Sequence, residues 1–218
     1  MTNSNKIDET AYTAKAQTLT HKEGIGGFSL IELIVSMALT LVILGVAVAT
    51  FSSALGTRER ESSKTDAITS AEAAINIMSR EIGNSGYGLT TNGVVLADST
   101  DKRLHFRTNT SNNDFATTGP DEDVTFYYDS ASQSVVRYDA NTGITSGIIN
   151  RVSDVDFVYR NYAPDGTSSL GAAALNTGRI TIILQVILFN VRGQPTNQRV
   201  QVTSDITLRN STYMLGQY

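Results

Sequence analysis

Cysteine and tryptophan are absent from the 218 residues, histidine occurs twice (His21 and His105), and proline only three times. Without cysteine there is no disulfide, no thiolate metal site and no cysteine nucleophile. Without tryptophan there is no indole platform for a glycan, and two histidines leave little for metal binding or proton transfer. Excess basic charge is missing too: 17 Lys and Arg stand against 21 Asp and Glu, net −4, with a pI near 5.2. No long basic run occurs, so a bulk electrostatic grip on nucleic acid is excluded. What remains, 40% hydrophobic and 17% charged, is an ordinary polar-surfaced average over a chain long enough for one medium core.

That average hides one uneven stretch. From Leu33 to Thr57 no residue is charged, and Ile31 to Phe51 reads IELIVSMALTLVILGVAVATF. At about 1.5 Å of rise per residue, about 20 such residues cross a hydrocarbon layer of about 30 Å. The run is apolar on every face, unlike a helix with one buried stripe. It is also longer than the roughly 7–15 apolar residues of a signal peptide. Lys15 and Lys22 on one side, against Arg58, Arg60 and Lys64 on the other, leave the orientation open.

Glu32 stands at the start of this run, with no other charge between Glu23 and Arg58. An unpaired carboxylate in lipid is costly, so it either stays at headgroup level or meets a cation. Upstream lie Gly24-Ile25-Gly26-Gly27 and then Phe28-Ser29-Leu30-Ile31-Glu32-Leu33. Glycines resist helix formation and keep a chain extended enough to enter a protease cleft.

At Gly27-Phe28-Ser29-Leu30-Ile31-Glu32-Leu33 the chain resembles the type IV pilin superfamily, whose prepilins carry this string at the start of a long apolar helix. The resemblance implies cleavage between Gly27 and Phe28 by a membrane prepilin peptidase, N-methylation of the new Phe28 amine, and a leader spanning residues 1–27. Lys6, Lys15 and Lys22 would balance Asp8, Glu9 and Glu23 in that leader, so the remaining 218 − 27 = 191 residues keep the whole charge of −4. Glu32 would then meet the Phe28 amine of a neighbouring subunit, pairing two charges in apolar surroundings and setting axial register.

After Phe51 polarity rises while helix signals continue to Ile82 without a proline. Ile68, Ala71, Ile75, Met78 and Ile82 recur at three- and four-residue steps, which predicts one apolar face for packing on a sheet. Gly83-Asn84-Ser85-Gly86 supplies a left-handed stop. A helix over 28–82 would span about 80 Å. Strands are expected at 94–96, 104–106, 124–128, 135–138 and 155–159, with 124–128 and 135–138 forming a hairpin about Asp129-Ser130-Ala131-Ser132. Residues 163–178 read as the longest loop. Alternation at Ile180, Ile182, Leu184, Val186 and Leu188 precedes a reversal at 192–197 into Val200, Val202, Ile206 and Leu208. The fold class expected is α+β and, by the resemblance, pilin-like: a long N-terminal helix, membrane-spanning in its first half, packed on an antiparallel β-sheet domain. The expected divisions are a leader (1–27), the membrane or filament-core half of the helix (28–57), its amphipathic half and cap (58–86), and a β-rich globular domain (87–218).

No set of residues composes an active site. His105 alternates with Leu104 and Phe106 between Arg103 and Arg107, which puts it on the solvent face of a strand rather than in a triad. Asp121-Glu122-Asp123 lacks the spacing of a calcium loop and reads as a solvated acidic turn. Asp154 and Asp156 share a strand face without a sugar platform beside them. Gly24-Ile25-Gly26-Gly27 precedes an apolar helix and is no phosphate loop. No catalytic residue, metal or cofactor is expected.

Residues 73–87, AAINIMSREIGNSGY, are similar to the helix end of minor pilins of the PilW type, and Asp205-Ile206-Thr207-Leu208-Arg209-Asn210 is similar both to that group and to the J-type pseudopilin of type II secretion. No cysteine is present for a C-terminal disulfide loop, and no proline kinks the helix, both departures from major pilins. The resemblance implies a minor pilin acting in initiation of assembly or at the filament tip. Its expected partners are prepilin peptidase, other minor and major pilins through the helix, and the assembly platform of the inner membrane, with no direct partner in nucleic acid. It would be a single-pass inner-membrane protein with its globular domain on the periplasmic side before entering the pilus. The alternatives are a pseudopilin and, from another class, a membrane-anchored binding protein or enzyme.

Overall fold

The computed structural model describes residues 27–111, 115–188 and 197–216. The expected leader therefore lies outside the described residues except for Gly27, as does the 192–197 reversal except for Asn197. Contacts divide the chain into two units between Thr50 and Phe51. One helix, α1 (Leu30–Ile82), contains residues of both, so the expected continuous helix forms.

In the first unit, α1 is long and apolar enough to cross a membrane, with none of its apolar window buried. Ser36 Oγ donates to the Glu32 carbonyl at 2.7 Å, Thr40 Oγ1 to the Ser36 carbonyl at 2.7 Å, and Thr50 Oγ1 to the Val46 and Ala47 carbonyls at 3.0 and 2.9 Å. These hydroxyls are satisfied by the helix itself, as an apolar environment requires.

In the second unit, α1 buries Ser63, Ala67, Ala71, Ala74, Ile75, Met78 and Ile82. Four of the five expected stripe residues are among them; Ile68 is only half-buried. The buried face instead begins with Ser63, Ala67, Ala71 and Ala74, all small residues. The helix ends in successive tight turns: the N–H of Asn84 donates to the Glu81 carbonyl at 3.1 Å and that of Ser85 to the Ile82 carbonyl at 2.9 Å. The left-handed residue is Gly86, φ 78°.

The strands make two four-stranded antiparallel sheets, where a single sheet layer was expected. The first has the order β1 (Arg103–Arg107), β2 (Asp123–Asp129), β3 (Ser134–Asp139), β4 (Ile144–Asn150), and the second has β6 (Ser168–Gly171), β5 (Val152–Tyr162), β7 (Thr177–Ile187), β8 (Arg199–Thr207). The chain changes sheets at Arg151, whose φ of 58° separates β4 from β5. The β2–β3 hairpin forms as expected, with Tyr128 opposite Val135. Residues 94–96 form no strand: Val94 makes one bridge to Phe106, and Leu96–Asp98 is a 3-10 turn. β4, β6 inside the expected 163–178 loop, and the short α2 (Thr212–Leu215) were not anticipated.

One core joins these elements. Ala71, Met78 and Ile82 of α1 share it with Leu104, Phe106 and Phe126 of the first sheet and Phe157, Ile180, Ile182 and Leu184 of the second. Phe106 and Phe126 stack with centroids 5.9 Å apart. The sheets are tied by polar contacts as well: the Phe157 N–H donates to the Asp101 carbonyl at 2.7 Å, and the Tyr159 hydroxyl lies 2.8 Å from the Thr100 carbonyl. Burial pushes the Tyr159 phenol above its ordinary pKa.

Candidate functional site

The N-terminal candidates, Gly27, Phe28 and Glu32, lie together at the start of α1. Phe28 is 88% exposed, and a Cβ placed on Gly27 would meet nothing within 4 Å. The Gly27–Phe28 peptide bond precedes the first helical residue, so it is both outside the helix and open to approach. Glu32 closes the helix end: its Oε2 accepts the Ser29 N–H at 2.9 Å. Ser29-x-x-Glu32 has capping-box spacing, and a carboxylate in the first turn also suits the helix dipole. Ser29 escaped the sequence reading as a cap, although the spacing alone points to it. A carboxylate has more acceptor positions than the one used here, so capping and pairing with an ammonium group are compatible.

Elsewhere the candidates are taken up by hydrogen bonds and ion pairs within the fold. His105 does lie on the outward face of β1, but its side chain is only 12% exposed. Asp98 and Asp123 enclose it: Nδ1 is 2.9 Å from Asp98 Oδ2, and Nε2 faces Asp123 Oδ1. Each ring nitrogen is occupied by a carboxylate, so neither presents a lone pair to a substrate. Arg107 Nε donates to Asp123 Oδ2 at 2.8 Å and Arg103 Nη2 to Asp98 Oδ2 at 3.0 Å, extending the network.

The acidic run is not a solvated turn. Glu122 is 1% exposed and Asp123 7%. Asp121, at φ 64°, turns the chain so that the three carboxylates diverge. Asp121 pairs with Arg137, Glu122 accepts backbone N–H groups, and Asp123 binds His105 and Arg107. Asp154 and Asp156 do share a strand face and together hold Lys102 Nζ, at 2.6 and 2.7 Å. Burial disfavours the Lys102 charge, but the two carboxylates outweigh it and raise its pKa above the ordinary value.

The 163–178 segment frames, with α2, a cavity of about 500 Å³ in which Tyr162 stacks on Tyr213 at 4.0 Å between centroids. No protein-family model, curated protein or solved structure matches the chain.

Proposed function

We propose that this chain is a minor pilin of a type IV pilus, cut between Gly27 and Phe28 by prepilin peptidase, methylated on the new Phe28 amine, and active in initiation of assembly or at the filament tip. The observation that carries the reading is the string Gly27-Phe28-Ser29-Leu30-Ile31-Glu32-Leu33 at the head of a long helix whose apolar window is exposed. The apolar surface of residues 30–55 suits both lipid and the helices of other pilins. Transfer from one to the other conserves apolar contact, so a filament can grow out of the bilayer without exposing this face to water. Repetition of one heterologous contact with a rise and a rotation gives a filament rather than a closed ring. Glu32 would supply register by meeting the Phe28 ammonium group of the next subunit. The mechanism is packing, not catalysis. A pseudopilin of type II secretion is the second reading, because the Asp205–Asn210 segment resembles the J-type pseudopilin as well as the PilW group.

The test is the mass of the N-terminal peptide of the membrane-extracted protein from hosts with and without prepilin peptidase. A peptide beginning at methylated Phe28 is expected only when the peptidase is present. Glu32→Ala is expected to be cut but to leave the filament fraction. An N-terminus ahead of Phe28 in both hosts would instead indicate a membrane-anchored binding protein or enzyme and would end the filament reading.

A further inference from the structure

An open sheet edge is a row of unpaired N–H and C=O groups, which folded proteins cover or blunt. The two sheets have four edges, and three are dealt with. β1 is covered by residues 93–95: the Arg107 N–H donates to the Gly93 carbonyl at 2.8 Å and the Val95 N–H to the His105 carbonyl at 2.9 Å. β6 is only four residues long, and β8 carries Arg199 and Asp205 toward its ends. β4 is different. Ile144–Asn150 holds neither charge nor proline, and its first four residues are all exposed. Among the described residues, β3 is the one strand paired with β4, and no other backbone group bonds to Thr145, Ser146 or Gly147.

Two features of β4 complement each other. At one end Ile144 is a large apolar side chain, 59% exposed. Toward the other end, a register shift opposite Val135 and Val136 leaves Ile148 as a bulge without a partner on β3. A cavity of about 350 Å³ lies there, lined by Ser132, Ser134, Gly147, Ile148, Ile149 and Asn150, none of them charged. Ile144 and Ile148 are equally far from Ser146. Antiparallel pairing of β4 with the β4 of a second copy about Ser146 therefore brings each Ile144 to the other copy's cavity. Such reciprocity is what a twofold contact requires, since residue i meets j while j meets i. Pairing a strand with itself also sets like against like, and like charges directly opposite are destabilising. β4 has no charge to oppose its own copy. We propose that the globular unit forms a homodimer in which β4 of one copy adds to β4 of another, joining two sheets into one of 4 + 4 = 8 strands. Main-chain hydrogen bonds supply the attachment, and Ile144 in the cavity sets the register. The proposal is independent of the filament reading.

Because the chain has no cysteine, one introduced thiol reports on one place. The full chain in detergent, carrying Ser146→Cys, is treated with a short bis-maleimide, with Ser169→Cys in the exposed strand β6 as the control. Ser146→Cys is expected to give a cross-linked dimer and Ser169→Cys not. Adding Ile144→Lys to Ser146→Cys, which sends an ammonium group to each uncharged cavity, is expected to lower the dimer yield about tenfold or more. At high dilution its urea midpoint should stay at the parent's, as Ile144 is exposed in a single copy. The proposal is overturned if Ser146→Cys gives no dimer, if Ser169→Cys links equally well, or if Ile144→Lys leaves the yield unchanged. A midpoint lowered by Ile144→Lys even at high dilution also overturns it, because Ile144 would then support its own subunit's fold.

Discussion

Glu122 is a buried carboxylate with no cation against it among the described residues. Its Oε1 accepts the Ser111 N–H at 2.6 Å and the Thr110 hydroxyl at 3.3 Å, while Oε2 accepts the Gly119 N–H at 2.7 Å. The Ser111 N–H is the main influence, and with the other donors it overcomes burial to hold the carboxyl below its ordinary pKa. Because the folded value lies below the unfolded one, about 4.3, the stabilisation is fully present at neutral pH. It is lost as pH falls through the folded value. Glu122→Gln keeps the shape but turns an NH2 toward one of the backbone donors, for an expected loss of about 1–3 kcal/mol at pH 7. Urea denaturation at pH 7 and again near pH 3 checks this, and the gap between parent and variant should narrow in acid. An equal gap at both pH values would mean the charge contributes nothing. None of this was legible in the run Asp121-Glu122-Asp123. Three adjacent acids read as solvated until the left-handed Asp121 sends their side chains in different directions.

Among the elements, legibility followed side-chain periodicity. β7 alternates half-buried and buried residues from Arg179 to Ile187, a pattern visible in its isoleucines, leucine and valine. β4 shows nothing of the kind: its first four residues are all exposed, and it is held by pairing with β3, a cause that lies in another segment. The helix stripe was legible in direction but off-centre, because alanine and serine carry too little hydrophobic weight to mark the buried face. Gly86 and Gly93 illustrate the same limit. A Cβ on Gly93 would come 2.2 Å from the Gly86 nitrogen, an approach between distant turns that local spacing does not encode. The corrected helix face makes a prediction. Ile75 is 5% exposed in the core, whereas Ile68 is half-buried. Ile75→Ala should cost about 2–5 kcal/mol, the usual range for emptying a core site, and Ile68→Ala clearly less. Equal losses in chemical denaturation would restore Ile68 to the centre of the stripe.

At the scale of the whole chain, a charge-free apolar helix segment stands beside a globular unit with its own core in the sequence. Sequence alone separated them, because 25 residues without charge are a compositional signal that needs no tertiary information. The division of the strands between two sheets was not legible, since alternation identifies each strand's buried face but not its neighbour, and Arg151 is not a residue type that advertises a left-handed turn. The separation implies that the two halves of α1 fail differently when altered. Leu41 and Leu44 are 62% and 57% exposed in the first unit, so charge there meets no protein core. At the centre of a membrane helix each lysine costs about 2.5–3.5 kcal/mol on the insertion scale. The double variant Leu41→Lys, Leu44→Lys should therefore be released from membranes by alkaline carbonate while its globular unit unfolds at the parent's urea midpoint. A shifted midpoint would show that these leucines support the domain's core. Continued sedimentation with the membrane fraction would show that attachment does not rest on α1, the helix among the described residues that is long and apolar enough to cross a membrane.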